Sequence, residues 1–241
     1  MAISKHNGRQ SAVGLRSRYA YAGTFFCLAA VLIPVATNAN WIFAVLLSWL
    51  SLDLGLVGLA YLWRWNTIFG KTAAGSLRMG RATLMLPYLA LTWIVWRVHH
   101  WVARGPIWNE VSSGVFVGRR CRLRQLPPEA STVIDFTAEF AGDKESRVKL
   151  NWLSIPVLDG CAPDSASFEQ GFNFRDGTRR SGIYLCCANG HGRSATFACA
   201  LLLKTRVAQT EDEAIAIVSQ RRPGASLNPE QRRSLSEFRA R

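Results

Sequence analysis

Ile183-Tyr184-Leu185-Cys186-Cys187-Ala188-Asn189-Gly190-His191-Gly192-Arg193-Ser194 is the stretch from which the rest of this chain is read. Residues 183–186 are apolar and read as the end of a strand. Residues 194–204 have the length and composition of a helix. Between them lies a tight loop with a cysteine and an arginine six positions apart, two glycines, and a hydroxyl just after. A loop set between a strand and a helix N-terminus can turn its backbone N–H groups on a dianionic phosphate. The thiolate is the nucleophilic form of cysteine, and a helix N-terminus beside an arginine favours it. Cys187 therefore stands where it could attack phosphorus.

The remaining loop residues divide the work. Ala188, Asn189, Gly190, His191 and Gly192 are the expected wall of the phosphate cradle. Gly190 and Gly192 are expected to turn the chain with positive φ. Arg193 is expected to fork two phosphate oxygens, which a lysine cannot do. Ser194 can donate a hydrogen bond to the sulfur and help it leave. The pattern G-x-x-x-x-G-K-[ST] is missing, which disfavours a nucleotide-binding P-loop.

The loop resembles the His-Cys-x5-Arg-Ser/Thr active site of protein tyrosine phosphatases, and most of all that of the compact dual-specificity phosphatases and their lipid-phosphatase relatives. Gly114-Val115-Phe116-Val117-Gly118 looks like that family's opening strand. Val133-Ile134-Asp135-Phe136-Thr137 looks like the next core strand, and Ile155-Pro156-Val157-Leu158-Asp159 like the strand that delivers the acid. The resemblance covers about residues 110–240. Cys186 stands where the family usually has His. The resemblance implies an α/β fold with a central, largely parallel sheet flanked by helices, and hydrolysis of a phosphomonoester through a phosphocysteine.

A proton donor is needed for the leaving oxygen, and a carboxylic acid on a nearby loop is the usual one. Asp159 is the candidate. It ends an apolar run, opens a loop containing Gly, Cys and Pro, and lies where the resemblance places the general acid. Asp164, five residues on, reads better as a helix N-cap. Asp135 and Glu139 read as structural carboxylates that satisfy loop amides or an arginine. No group of side chains has convincing metal-ligand spacing, so neither metal nor cofactor is expected. Cys186 or Cys161 could trap an oxidised Cys187 as a disulfide, although ordinary thiols are the plainer reading.

The front of the chain has another character. Residues 19–37 and 41–63 are apolar runs long enough to cross a bilayer, joined by Asn38-Ala39-Asn40. Residues 82–96 form a shorter run containing Pro87. Tyr19, Tyr21, Trp41, Trp63, Trp65, Trp96 and Trp101 mark several ends of these three runs as an interfacial belt does. Asp53, inside the second run, is expected to pair within the helix bundle. Lys5, Arg9, Arg16 and Arg18 precede the first run, while Arg64, Lys71, Arg78 and Arg81 follow the second. Both ends of this hairpin are therefore expected to be cytoplasmic. A third span would put the catalytic domain outside, and an interfacial third helix would keep it inside. A reactive thiol survives better in a reducing compartment, which places the domain on the cytoplasmic face.

The domain organisation expected is a membrane region with two or three hydrophobic helices over 1–105 and a catalytic domain over 106–241. The net charge is +13, with nine Lys and Arg against one acid up to residue 102 and twenty against fifteen after it. That excess suits anionic headgroups and phosphates. Nucleic acid is not an expected partner, since no binding motif for it appears. In the back half, strands are expected at 115–118, 132–136, 151–157 and 182–186. Helices are expected at 166–174 (weakened by Gly171), at 193–207, after a capping box at Thr210, and after Asn228-Pro229. The substrate is left open between a phosphorylated protein and a phospholipid, with membrane lipids as neighbours. A catalytically silent phosphate-binding module is the rival reading.

Overall fold

The computed structural model of the protein describes residues 3–102, 105–178 and 182–240. Helices α1 (Ile3–Thr37) and α2 (Trp41–Trp63) form an antiparallel pair, and the side chain of Asn40 caps α2 by accepting the Phe43 N–H. Arg18–Thr37 and Trp41–Trp63 are 20 and 23 residues long and apolar enough to cross a membrane. At the end far from the sheet they expose Val31, Ile33, Ile42 and Phe43.

The third apolar run is broken in two, α3 (Met79–Leu84) and α4 (Leu86–Val102). Pro87 explains the break. It has no N–H to donate and its ring crowds the preceding turn, so it is accommodated in a first turn and not within a helix. The groups freed at the break are met by α2. Trp49 Nε1 donates to Leu84 O at 2.7 Å, and Asp53 Oδ2 accepts the Tyr88 N–H at 3.2 Å. Asp53 thus pairs within the bundle, with backbone as its partner.

The rest is α/β. Strands β1 (Trp108–Ser112), β2 (Val115–Arg119), β3 (Ala130–Thr137), β4 (Asn151–Val157) and β5 (Gly182–Cys187) form one sheet in the order β1-β2-β5-β3-β4. Only β1, at the edge, is antiparallel. The four expected strands are all found. β1 was not expected, because Trp-Asn-Glu-Val-Ser lacks a clean apolar alternation. Helices α5 (Lys144–Lys149), α6 (Ser165–Gly177), α7 (Arg193–Lys204), α8 (Glu211–Arg221) and α9 (Pro229–Arg239) complete the chain.

Side chains of a strand alternate between faces, and β5 is buried on both. Ile183, Leu185 and Cys187 join the large core under α7, whereas Tyr184 and Cys186 pack with Phe116, Ala130 and Val133 on the other face. The small residues of α7, Ala195, Ala198, Cys199 and Ala200, are fully buried and bring the helix close to the sheet. Phe197 is the large exception and packs among Phe136, Phe168 and Phe172. Gly171 leaves room for it: a Cβ there would lie 2.5 Å from the Phe197 ring. The residue that weakened the expectation of α6 is thus the one that lets α6 dock.

Asp164, Thr210 and Asn228 cap α6, α8 and α9. The Thr210 box differs in one bond, since Glu213 reaches back to the Gln209 N–H at 2.7 Å.

Residues 64–78, between α2 and α3, are stitched to the sheet. Ser154 N–H donates to Ala73 O at 2.8 Å and so covers the β4 edge, while Gly142 N–H donates to Gly75 O at 2.8 Å. Lys71 enters the interior, where its Nζ bonds Asp135 Oδ2 at 2.6 Å and both Thr137 O and Thr137 Oγ1 at 2.7 Å. The large core accordingly runs without a break from Val57, Tyr61, Phe69 and Met85 into Val111, Leu153 and Leu201.

Candidate active site

Cys187 ends β5 and is buried. Its Sγ accepts the Gly190 N–H at 3.2 Å and the Ser194 hydroxyl at 3.3 Å. The loop around it is held from outside by its carbonyls. Trp96 Nε1 of α4 donates to Ala188 O at 3.0 Å. Arg222, just past α8, donates to Asn189 O at 3.1 Å and to Gly190 O at 3.4 Å. Ser226 N–H takes His191 O at 3.1 Å, and Thr196 N–H takes Gly192 O at 2.8 Å. In a planar trans peptide the N–H points opposite to the C=O. Four carbonyls held from outside, and Gly192 O engaged by the first turn of α7, therefore turn the amides of residues 189–193 to the inner side of the loop, where that of Gly190 meets the sulfur.

The two glycines serve different ends. Gly190 has φ +75°, and a Cβ there would lie 2.3 Å from Gly118 C. Gly192 does not have the expected positive φ, since its value is −112°. It is needed for space instead, because a Cβ would lie 2.8 Å from Gln231 Nε2.

Arg193 opens α7 and is 1% exposed. Its Nη1 and Nη2 fork the Glu139 carboxylate at 3.0 and 2.9 Å, and Nη1 also bonds Val157 O at 2.8 Å. Nη2 lies 3.0 Å from Asp159 Oδ1. Its Nε is buried and has no partner among the described residues. Burial opposes the Arg193 charge, but Glu139 and Asp159 overcome this and hold its pKa well above the usual value. Glu139 behaves likewise. Burial pushes its carboxyl up, and Arg193 together with the hydrogen bonds it accepts brings it below the ordinary range.

Asp159 follows β4, and its side chain is 73% exposed over the cleft. Its loop is tied on every side. Tyr61 of α2 donates to Asp159 O at 2.8 Å, and Leu158 N–H donates to Asn66 Oδ1 at 3.2 Å. Asn228 and Gln231 of the α9 cap donate to Gly160 O at 2.7 Å and to Cys161 O at 3.1 Å. Asp164 lies apart, with its Oδ1 on the Ser167 N–H as an N-cap.

The cleft above Cys187 has a volume of about 250 Å³ and is lined by Tyr21, Asp159, His191, Arg193 and Gln231 among others. His191 is half-buried, and burial with the nearby Arg222 cation lowers its pKa, so the imidazole is neutral at pH 7. Burial pushes the Cys161 thiol up to about 12 and the Cys186 thiol well above its usual value. Cys186 also faces the other side of the sheet from Cys187.

The structure brings Cys187, Arg193 and Asp159 to one cleft, with Ser194 buried against the sulfur. Glu139 was expected to play a structural part on loop amides or an arginine, and both contacts are made: Arg193 and the Ala138 N–H. Arg222 was missed. Nothing local distinguishes it from the neighbouring surface arginines.

Residues 126–241 match the family model of the dual specificity phosphatase catalytic domain. This match, over just under half of the chain, supports a cysteine-dependent phosphatase. No curated protein sequence matches the chain. Among solved structures, Tk-PTP in its active form is similar at 21% identity, over 57% of this chain and 99% of that one, with a TM-score of 0.49. PTPMT1 in complex with PI(5)P is similar at 19% identity, over 56% of this chain and 95% of that one, with a TM-score of 0.49. The human tyrosine phosphatase-like serine/threonine/tyrosine-interacting protein is similar at 20% identity, over 56% and 97%, with a TM-score of 0.48.

Proposed function

We propose that the protein hydrolyses phosphomonoesters at a membrane surface, with Cys187 as nucleophile, Asp159 as general acid and base, and Arg193 with the amides of 188–194 as the phosphate cradle. The Cys187 thiolate attacks phosphorus while the P–O bond to the leaving group breaks and Asp159 protonates that oxygen. Water then attacks the phosphocysteine, gives its proton to Asp159, and releases inorganic phosphate and the thiolate. The Ser194 hydroxyl stabilises the departing sulfur. Catalysis of this kind rests on position and charge.

The outward bracing of four consecutive carbonyls around one thiol carries this reading, because a cysteine that merely filled the core would need no such frame. The test is phosphate release by the detergent-purified full-length protein, offered a phosphotyrosine peptide and a phosphatidylglycerophosphate-type lipid side by side. Release that Cys187→Ser abolishes and Asp159→Asn reduces is the expected result. Retained phosphate binding with no release above the Cys187→Ser background would replace the enzyme mechanism with a silent binding module.

The same proposal places the catalytic domain on the cytoplasmic face of a two-span anchor. Its support is connectivity. Residues 64–78 are bonded to the sheet, and α4 leads back into β1, so α3 and α4 start and finish on the side where the sheet lies. Arg64, Lys71, Arg78 and Arg81 mark that side as the basic one. A protease-sensitive tag after Arg241 should be protected in intact cells and cut in inverted vesicles. Cutting in intact cells would reverse the orientation.

A further inference from the structure

We propose that the substrate is a membrane phosphomonoester with an acyl chain, and that the chain lies in a groove that α1, α2 and α4 build beside the catalytic cleft. This rests on the phosphatase reading above and names the substrate class for it.

The groove has a volume of about 390 Å³, within the range of about 300–1,000 Å³ usual for small-molecule sites. Its walls are apolar: Phe25 and Leu28 of α1, Leu54 of α2, and Leu91 and Val95 of α4. Its polar end is made by Glu139, Asp159, Ala188 and Asn189. Tyr21, Asp159 and Asn189 also line the cleft over Cys187, so the two spaces meet. Asn189 Oδ1 is buried there and has no partner among the described residues.

The direction of the groove decides the occupant. Tyr21 stands at the acid loop, where a Cβ on Gly160 would lie 2.6 Å from its hydroxyl oxygen. Phe25 and Leu28 follow on the same face of α1, so Leu28 lies about 10 Å further along the helix axis. That stretch belongs to Arg18–Thr37, a segment long and apolar enough to cross a membrane. The groove therefore leads from the phosphate site into the depth of the hydrocarbon. Leu28, Leu91 and Val95 are about half exposed, which leaves its flank open to a molecule arriving sideways from the bilayer. A phosphopeptide approaching from water would leave these walls unused. A phosphate joined through a few polar atoms to a hydrocarbon tail fits both spaces at once.

The experiment uses the full-length protein in amphipol and a series of monomeric alkyl phosphates from ethyl to octyl. Each methylene newly taken out of water should raise kcat/KM by roughly two- to fourfold, and Leu91→Trp and Thr92→Trp should each flatten that slope by filling the groove. Independently of how those variants fold, an alkyl phosphate with a diazirine at its tail should crosslink the Cys187→Ser protein at Phe25, Leu54 and Leu91. Cys187-dependent release with no dependence on chain length would overturn the groove while leaving the phosphatase standing. Crosslinks confined to outward residues such as Ile33 and Ile42 would overturn it too, as would a phosphotyrosine peptide cleaved faster than every alkyl ester. Absence of Cys187-dependent release from the shortest and the longest esters alike would overturn the phosphatase reading and this inference with it.

Discussion

Arg222 lies outside the phosphate loop yet bonds the carbonyls of Asn189 and Gly190, together with Pro106 O and Asn109 Oδ1. Its removal leaves these acceptors unpaired, at about 1–3 kcal/mol for a buried group. Arg222→Gln should therefore weaken inorganic phosphate as a competitive inhibitor by about tenfold or more, and Arg222→Lys should recover little, since an ammonium cannot fork two carbonyls. An unchanged inhibition constant would show that the loop holds its shape alone. Glu139→Gln tests the support behind Arg193. Arg193 keeps Asp159 and Val157 O in that variant, so the loss stays below the about 3–5 kcal/mol of a buried cation left without any partner, and a fall in Tm is expected at pH 7. The Glu139 pKa is lower in the fold than its free value of 4.5. Its stabilisation is thus complete above about pH 4.5 and is lost as the pH falls through the folded value. The Tm gap between wild type and Glu139→Gln should stay constant above pH 5 and close in acid. Cys187, Arg193 and Ser194 were legible because eight consecutive positions carry their relation. Glu139 and Arg222 reach the loop from 54 and 32 residues away, and no local pattern encodes such a meeting.

Residues 64–78 act as an element of the catalytic sheet although they lie between two apolar helices. Lys71 is their anchor, and its ammonium has three partners in the interior. Lys71→Met leaves Asp135 buried without its cation and should cost about 3–5 kcal/mol, read as a lower Tm of the detergent-solubilised protein. The double variant Lys71→Met with Asp135→Asn should regain much of that loss, since the remaining bonds from Thr137 to residue 135 can be kept by an amide oxygen. No recovery would mean that Lys71 matters for packing and not for charge. The periodic elements were read well from sequence. Four strands, the caps at Asp164, Thr210 and Asn228, and both long apolar helices lie where composition put them. Lys71 could not be read this way: a lysine in a polar loop looks solvated until the fold closes over it. β1 escaped because an edge strand needs no apolar alternation. The break at Met85 had a visible cause in Pro87, but only Asp53 and Trp49 of α2 show how its freed backbone groups are met.

The molecule has one main core, and it runs through the point where composition changes. Val57, Tyr61, Phe69 and Met85 belong to it as fully as Leu185 and Leu201 do. Residues 106–241 alone would expose that face and lose the partner of Asp135. We expect them to aggregate or to bind a hydrophobic dye when expressed alone, whereas a fragment from residue 41 should retain more structure; a monomeric, cooperatively melting 106–241 fragment would contradict this. The hydrogen bond from Tyr61 to Asp159 O has a consequence of its own. The acid is fastened to a helix that, on the reading proposed above, crosses the bilayer, and such helices tilt when hydrocarbon thickness departs from their own length, at fractions of a kcal/mol per Å. Tilting α2 displaces Tyr61, and with it the carboxylate proposed above to protonate the leaving group. Turnover should then pass through a maximum across vesicles of increasing lipid chain length, and Tyr61→Phe should broaden that maximum. The enzyme would report bilayer thickness as a rate.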